Sequence, residues 1–276
     1  MRLLLSAELL KLLKQSKTYY ALGAILVIEL LILITAYFQG STILDLLLDN
    51  LKQSFYFEGS LLNGNLIMYI VLNSLWFNVP LILMIVTSGI VTDEYKDGTM
   101  QTVMLQAVHK WKFILAKYII AVLFTLLVIG FMMLTTFILA YSLFGNGDLV
   151  VYLNTLNFFE ANDAFHRICW AFASGAISMV FYCVASLTLS IFIKEAAKTW
   201  IAAALFLIIT TLLLKVDFVI PALNRFFFPK LIDSWQQLFY YVPDWTQILI
   251  NNAILILYTL AFAAVGTYVF HKKDIG

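Results

Sequence analysis

Six stretches of this chain are each long and apolar enough to cross a bilayer. Crossing ~30 Å of hydrocarbon takes ~20 predominantly apolar residues in a helix. The runs are roughly Tyr19–Phe38, Leu66–Val91, Phe113–Leu143, Arg167–Ile193, Thr199–Leu214 and Gln247–Phe270. No water reaches backbone amides in hydrocarbon, so each run must satisfy its own hydrogen bonds as a helix. A soluble origin is excluded by composition. The chain is 63% hydrophobic and 12% charged, with mean hydropathy +0.94, against about 45–50% apolar and about 25% charged in soluble domains. The expected fold class is an all-α integral membrane protein with one transmembrane domain spanning residues 1–276. The third run is long enough to tilt or to project beyond the bilayer, and the fifth is short.

Lysine and arginine accumulate on the cytoplasmic side of membrane proteins. With the N-terminus inside, Arg2, Lys11, Lys14, Lys17, Lys96, Lys110, Lys112, Lys117, Lys194, Lys198, Lys272 and Lys273 fall on one side. Lys52, Arg167, Lys215, Arg225 and Lys230 fall on the other. Twelve against five predicts a multi-pass protein with both termini in the cytoplasm. Arg2–Lys17 is not a cleavable signal, because Glu8 and Lys11 break its leucine run and no small-residue site follows.

Three segments outside the spans carry pattern. In residues 2–17, Leu5, Leu9, Leu12 and Leu13 share one helical face while Glu8, Lys11 and Gln15 occupy another. That is the pattern of an interfacial helix, although a cytoplasmic start to the first span reads similarly. In residues 92–112, Asp93, Glu94, Lys96 and Asp97 lead into Gly98-Thr99, with Thr99 a candidate N-cap. Met100, Val103, Met104, Ala107, Val108 and Trp111 then recur at three- and four-residue steps, which predicts a short amphipathic helix. Its apolar face needs a protein partner or the membrane surface. Residues 216–246 hold nine aromatics and Pro221, Pro229 and Pro243. Arg225, Lys230 and Asp233 argue against a seventh span. Short helices re-entering the outer leaflet, or a plain aromatic belt, would produce this pattern.

Polar residues within the spans are pathway candidates. Glu29 lies near the middle of the first run. A charge there costs ~2.5–3.5 kcal/mol on insertion scales, so it faces water, a cation or a partner; a hydrogen-bonded packing role is equally open. Asn73, Asn78 and Pro80 in the second run suggest a kinked helix with side-chain hydrogen bonds. Cys169 and Cys183 are ~21 Å apart if both lie on one helix, too far for a mutual disulfide.

Several classes lack their chemistry. There is no H-E-x-x-H, and His166 with Cys169 supplies only two metal ligands. No catalytic residues and no metal site are assigned, and an enzyme is disfavoured. The near-neutral charge and missing basic aromatic patch give no sign of nucleic-acid binding. The nearest approach to a P-loop, Gly59 to Gly64, is followed by Asn65-Leu66 instead of Lys and Ser or Thr.

Glu94, three residues, Gly98-Thr99, the hydrophobic Met104-Leu105 and then Lys117 resemble the cytoplasmic loop of membrane permease subunits of type-2 ABC exporters. That loop usually continues with Pro-x-x-Arg, where this chain has Ala107-Val108-His109-Lys110. The closing Phe270-His271-Lys272-Lys273-Asp274-Ile275 is also similar to that family. The resemblance implies a bacterial cytoplasmic (inner) membrane location and an interfacial N-terminal helix before six spans. It implies a coupling helix between spans two and three, and re-entrant outer helices before span six. It further implies no chemistry and no cofactor in this chain, with ATP and magnesium held by a separate ATP-binding subunit. Two such subunits and a second permease, in a homo- or heterodimer, would complete the working unit within membrane lipid. On this reading Glu94, Lys96, Asp97, Gly98, Thr99, Met100, Val103 and Met104 form the coupling surface. The charges would set register and the methionines would fill a groove. Two rivals remain: a scaffold or sensor of the same fold, and a secondary transporter using Glu29, for which no internal repeat is visible.

Overall fold

The computed structural model describes residues 1–52, 61–105, 109–153, 155–218 and 221–272. For Arg2, Ile43, residues 45–52 and residues 221–223 it describes the backbone alone. Glu58, Gly59, Ala107, Val108 and the closing Lys273, Asp274 and Ile275 lie outside the described residues.

The chain runs through α1 (Arg2–Lys14), α2 (Ser16–Lys52), α3 (Gly64–Lys96), α4 (Thr99–Met104) and α5 (Lys110–Phe144). A hairpin of β1 (Leu149–Leu153) and β2 (Thr155–Phe159) follows. Then come α6 (Ala161–Ile193), α7 (Ala196–Leu213), α8 (Pro221–Phe226), α9 (Phe228–Ile232), a 3-10 turn (Ser234–Phe239) and α10 (Trp245–Lys272). Among the described residues, α2, α3, α5, α6, α7 and α10 are each long and apolar enough to span a membrane. The chain is a multi-pass membrane protein.

α3 and α6 form the centre and bury the largest shares of their length. Gly175 brings them together, because a Cβ there would collide with the Trp76 ring. α5 and α10 flank them, and α2 and α7 sit at the periphery with most of their surface outward. α3 continues through Pro80, which has no amide to offer the Trp76 carbonyl.

The ends of the spans are set by local chemistry. α1 stops at Gln15, which is extended (φ −75°, ψ 128°). There the Thr18 hydroxyl donates to the Leu12 carbonyl at 2.6 Å and satisfies one of the helix's orphan acceptors. α3 starts at Asn63, whose side chain accepts from the Leu66 amide at 3.1 Å as an N-cap. Asn63 and Asn65 also donate to the Asp148 and Gly147 carbonyls at 2.7 and 2.6 Å, tying the head of α3 to the strand entry. The antiparallel hairpin pairs Leu149 with Phe159 and Val151 with Asn157, with all four buried. This hairpin is a departure from a purely helical chain.

The helix between the second and third spans is shorter than its periodicity suggests. α4 ends at Met104, and Trp111 belongs to α5. The cap also differs. Gly98, not Thr99, occupies the N-cap, in the left-handed region at φ 68°, where glycine carries no Cβ penalty. Among the described residues, the 216–246 segment contains two short helices and a 3-10 turn and no seventh span.

Candidate functional site

The end of the bundle that carries α4 gathers charge from four helices. α1 contributes Glu8 and Lys11, α2 contributes Lys17, the last turn of α3 contributes Asp93 and Glu94, and α5 contributes Lys117. Lys117 is at its centre, 0% exposed. Its Nζ lies 2.9 Å from Glu8 Oε2 and 2.9 Å from Glu94 Oε1, and it donates to the Ile90 carbonyl at 3.0 Å. Lys11 closes the ring from the solvent side, at 2.8 Å from Glu94 Oε1 and 3.1 Å from Glu8 Oε1. Two lysines and two glutamates therefore alternate, and each carboxylate receives both cations. Lys17 pairs with Asp93 beside them at 2.7 Å.

The arrangement follows from helix geometry. Glu8 and Lys11 are one turn apart and share a face of α1. The Gln15 break folds α1 against the start of α5. Lys117 reaches this point with its stem over the Phe113 ring, 4.6 Å from Nζ to the centroid. Burial works against the charge of Lys11, but Glu94 and Glu8 outweigh it and hold its ammonium above the ordinary lysine range. Glu94 is almost fully enclosed, with its side chain 9% exposed. Its Oε2 has no hydrogen-bond partner among the described residues.

A cleft of about 380 Å³ opens over this ring, lined among others by Lys14, Asp93, Asp97 and Thr99. The residues expected from sequence divide between its inside and its outside. Glu94 is inside the ring. Met100 is buried, packed into the chain's own core. Val103 and Met104 are half-buried against that core. Lys96, Asp97, Gly98 and Thr99 are exposed, and Leu105 projects outward at 89% exposed.

The three residues proposed within the spans are elsewhere, and the fold does not bring them together. Glu29 is 0% exposed and accepts hydrogen bonds from Thr135 and Thr136 of α5 at 2.7 and 3.1 Å. Asn78 donates to the Ser74 carbonyl at 3.2 Å, within its own helix. Asn73 likewise bonds to the Tyr69 carbonyl at 2.8 Å while bordering a cavity near the opposite end of α3. Among the described residues no group of three potential metal ligands occurs. Sequence reasoning noticed Glu8, Lys11 and Lys117 singly but not their union.

No curated protein matches this chain. A family profile described as "Protein of unknown function (DUF2705)" matches residues 32–276. This range covers nearly all of the bundle, including α3, α4 and α5, although it begins beyond α1. The chain belongs to the DUF2705 family.

Proposed function

We propose that this chain is the permease subunit of an ATP-driven exporter of the type-2 ABC class. It would form the translocation pathway with a second permease subunit and take its energy from two copies of a separate ATP-binding subunit. In this reading α4 lies in the cytoplasm, both termini lie on that side, and the membrane is the bacterial inner membrane. The observation that carries the proposal is the mechanical setting of α4. It is joined at one end to α3 and is followed by α5, and Glu94 and Lys117 of those helices are locked to α1 through a buried ring of ion pairs. A push on α4 is thus delivered to α1, α3 and α5 together, because packed interiors shift as units instead of deforming locally. The exposed Lys96, Asp97 and Leu105 offer a contact surface, and the buried Glu94 and Met100 anchor it.

The test is co-expression with candidate ATP-binding subunits, followed by affinity purification and ATPase measurement in proteoliposomes. An ATP-binding subunit is expected to co-purify. Leu105→Asp is expected to reduce its recovery while leaving the bundle intact. Glu94→Lys and Gly98→Pro should insert into the membrane yet lose the link between ATPase activity and transport. Normal transport by both of these variants, or no ATP-binding subunit recovered with the wild type, would sink the proposal. ATPase activity that no candidate substrate stimulates would favour a scaffold of the same fold.

A further inference from the structure

A second cavity lies near the other end of the bundle, ~25 Å along α3 from the charged cleft. It is an open pocket of about 210 Å³ between α3, α6, α7 and the α9–3-10 segment. Asn73, Trp76, Phe77, Tyr182 and Trp235 contribute to its wall, together with one carboxylate, Asp233. The position of Asp233 is unusual. No lysine, arginine or histidine pairs with it among the described residues, and none lines the cavity. The nearby cations are committed elsewhere: Lys230 to Asp217 and Asn224, and Arg167 to Asp163 and the Leu238 and Tyr240 carbonyls. The aromatic wall is packed. Trp76 and Trp235 pack in a tilted pair with centroids 4.7 Å apart, and Trp235 is fully buried. Its indole Nε1 completes no hydrogen bond among the described residues, although its pull on the Asp233 carboxyl offsets a part of the effect of burial.

Asp233 is half-buried beside aromatic rings, where an ionised carboxylate is costly without a compensating cation. Here the fold supplies none and leaves a cavity in its place. We propose that this cavity seats the alkylammonium headgroup of an amphiphile, with Asp233 neutralising the charge and the surrounding aromatic rings receiving its methyl or methylene groups. Aromatic faces attract such cations, quaternary ammonium above all. The volume sets the size class. Drug-sized ligands need about 300–1,000 Å³, so this cavity holds a headgroup and leaves the tail outside, beside the half-exposed Phe77 and the outward face of α7. Burial raises the Asp233 carboxyl to about 7, the expected state of an acid whose counter-ion is missing. The inference is independent of ATPase coupling, because binding is measured on this chain alone.

The probe is radiolabelled choline, bound to the purified full chain in phosphatidylglycerol nanodiscs, with empty nanodiscs subtracted. Saturable binding is expected that unlabelled choline displaces and its uncharged carbon isostere does not. Asp233→Asn should weaken it by about tenfold or more, as removal of one member of an enclosed charge pair does, while Asp233→Glu retains most of it. Phe77→Leu, at the rim, should weaken it severalfold and serves as a second arm if Asp233→Asn fails to fold. In phosphatidylcholine nanodiscs, apparent binding that falls identifies a lipid headgroup as an occupant. Unchanged binding there identifies a soluble or scarce amphiphile. Wild-type binding that does not saturate, equal displacement by the neutral isostere, or folded Asp233→Asn binding like wild type would each overturn the proposal.

Discussion

Lys117 decides whether its end of the bundle is held together. Two carboxylates meet its ammonium at 2.9 Å in a site with no exposure. Deleting that cation leaves Glu8 and Glu94 facing one another with only Lys11, half-exposed, between them. Removing one partner of a buried pair costs about 3–5 kcal/mol. Lys117→Met should therefore destabilise the protein by that order in denaturant unfolding within mild detergent. Adding Glu8→Gln and Glu94→Gln should recover much of the loss, since no unpaired charge is then buried and the remaining Lys11 is half-exposed. If the single variant is as stable as wild type, the ring contributes no brace. None of this coupling was legible in sequence. Lys117 stands 109 residues from Glu8, Lys11 stands 83 from Glu94, and periodicity carries information about neighbours one turn away only. Asp233 gives a second prediction at this scale. Its folded pKa, about 7, lies above the ordinary carboxylate value, so the native state holds its proton at pH values where the unfolded state has lost it. Stability is thus full below the unfolded value and declines as pH rises toward about 7. The charged neighbours do not reverse this, because Lys230 and Arg167 are paired with Asp217 and Asp163 and the titratable groups that feel Asp233 are Tyr69 and Tyr182. Asp233→Asn should flatten the slope between about pH 4 and pH 7 and raise the melting temperature at about pH 8. An unchanged slope would remove Asp233 as its source.

At the scale of elements, the seam between α3 and α6 is the tightest. Gly175 lies against the Trp76 ring, which also packs on Trp235 with centroids 4.7 Å apart. Gly175→Ala should cost about 1–3 kcal/mol, the usual penalty of forcing one extra group into a packed interior. The cost should shrink in the Gly175→Ala/Trp76→Leu double variant, where room has been made. Strict additivity of the two substitutions would mean that the seam has slack. The six spans were legible from apolar length alone, each within a few residues at most boundaries, because lipid forces every backbone group into a helix. The exits are less regular, since side chains set them. Gln15, Asn63 and Gly98 end or begin helices by specific backbone angles and hydrogen bonds. The β hairpin passed unnoticed because its strands are five residues each. Alternation over so short a window is weak beside neighbouring runs of thirty. Its position depends on Asn63 and Asn65, more than eighty residues earlier.

At the scale of the molecule, the two ends of the bundle differ in charge and in construction. One end has α4, the ion-pair ring and the α6–α7 connection with Lys194 and Lys198. The stacking of Lys194 over Tyr95 at 5.3 Å and Lys17 over Trp200 at 5.7 Å fixes that connection beside the ring. The other end has the hairpin, the aromatic short helices and Lys215 just past α7. α7 therefore separates Lys198 from Lys215 by one passage through the bilayer. The twelve-to-five distribution of basic residues predicts which end is cytoplasmic. The same orientation is required for α4 to meet a cytoplasmic ATPase, so one measurement bears on both. In a background with Cys169→Ser and Cys183→Ala, which removes both native thiols, Lys198→Cys and Lys215→Cys are each introduced at an exposed site. A membrane-impermeant maleimide should label Lys215→Cys in intact cells. It should reach Lys198→Cys only after the membrane is opened. The reverse pattern would place α4 on the outside, where no ATP-hydrolysing subunit can dock. The exporter reading would fall with it, while the headgroup site at Asp233 would stand and would face the cytoplasm instead.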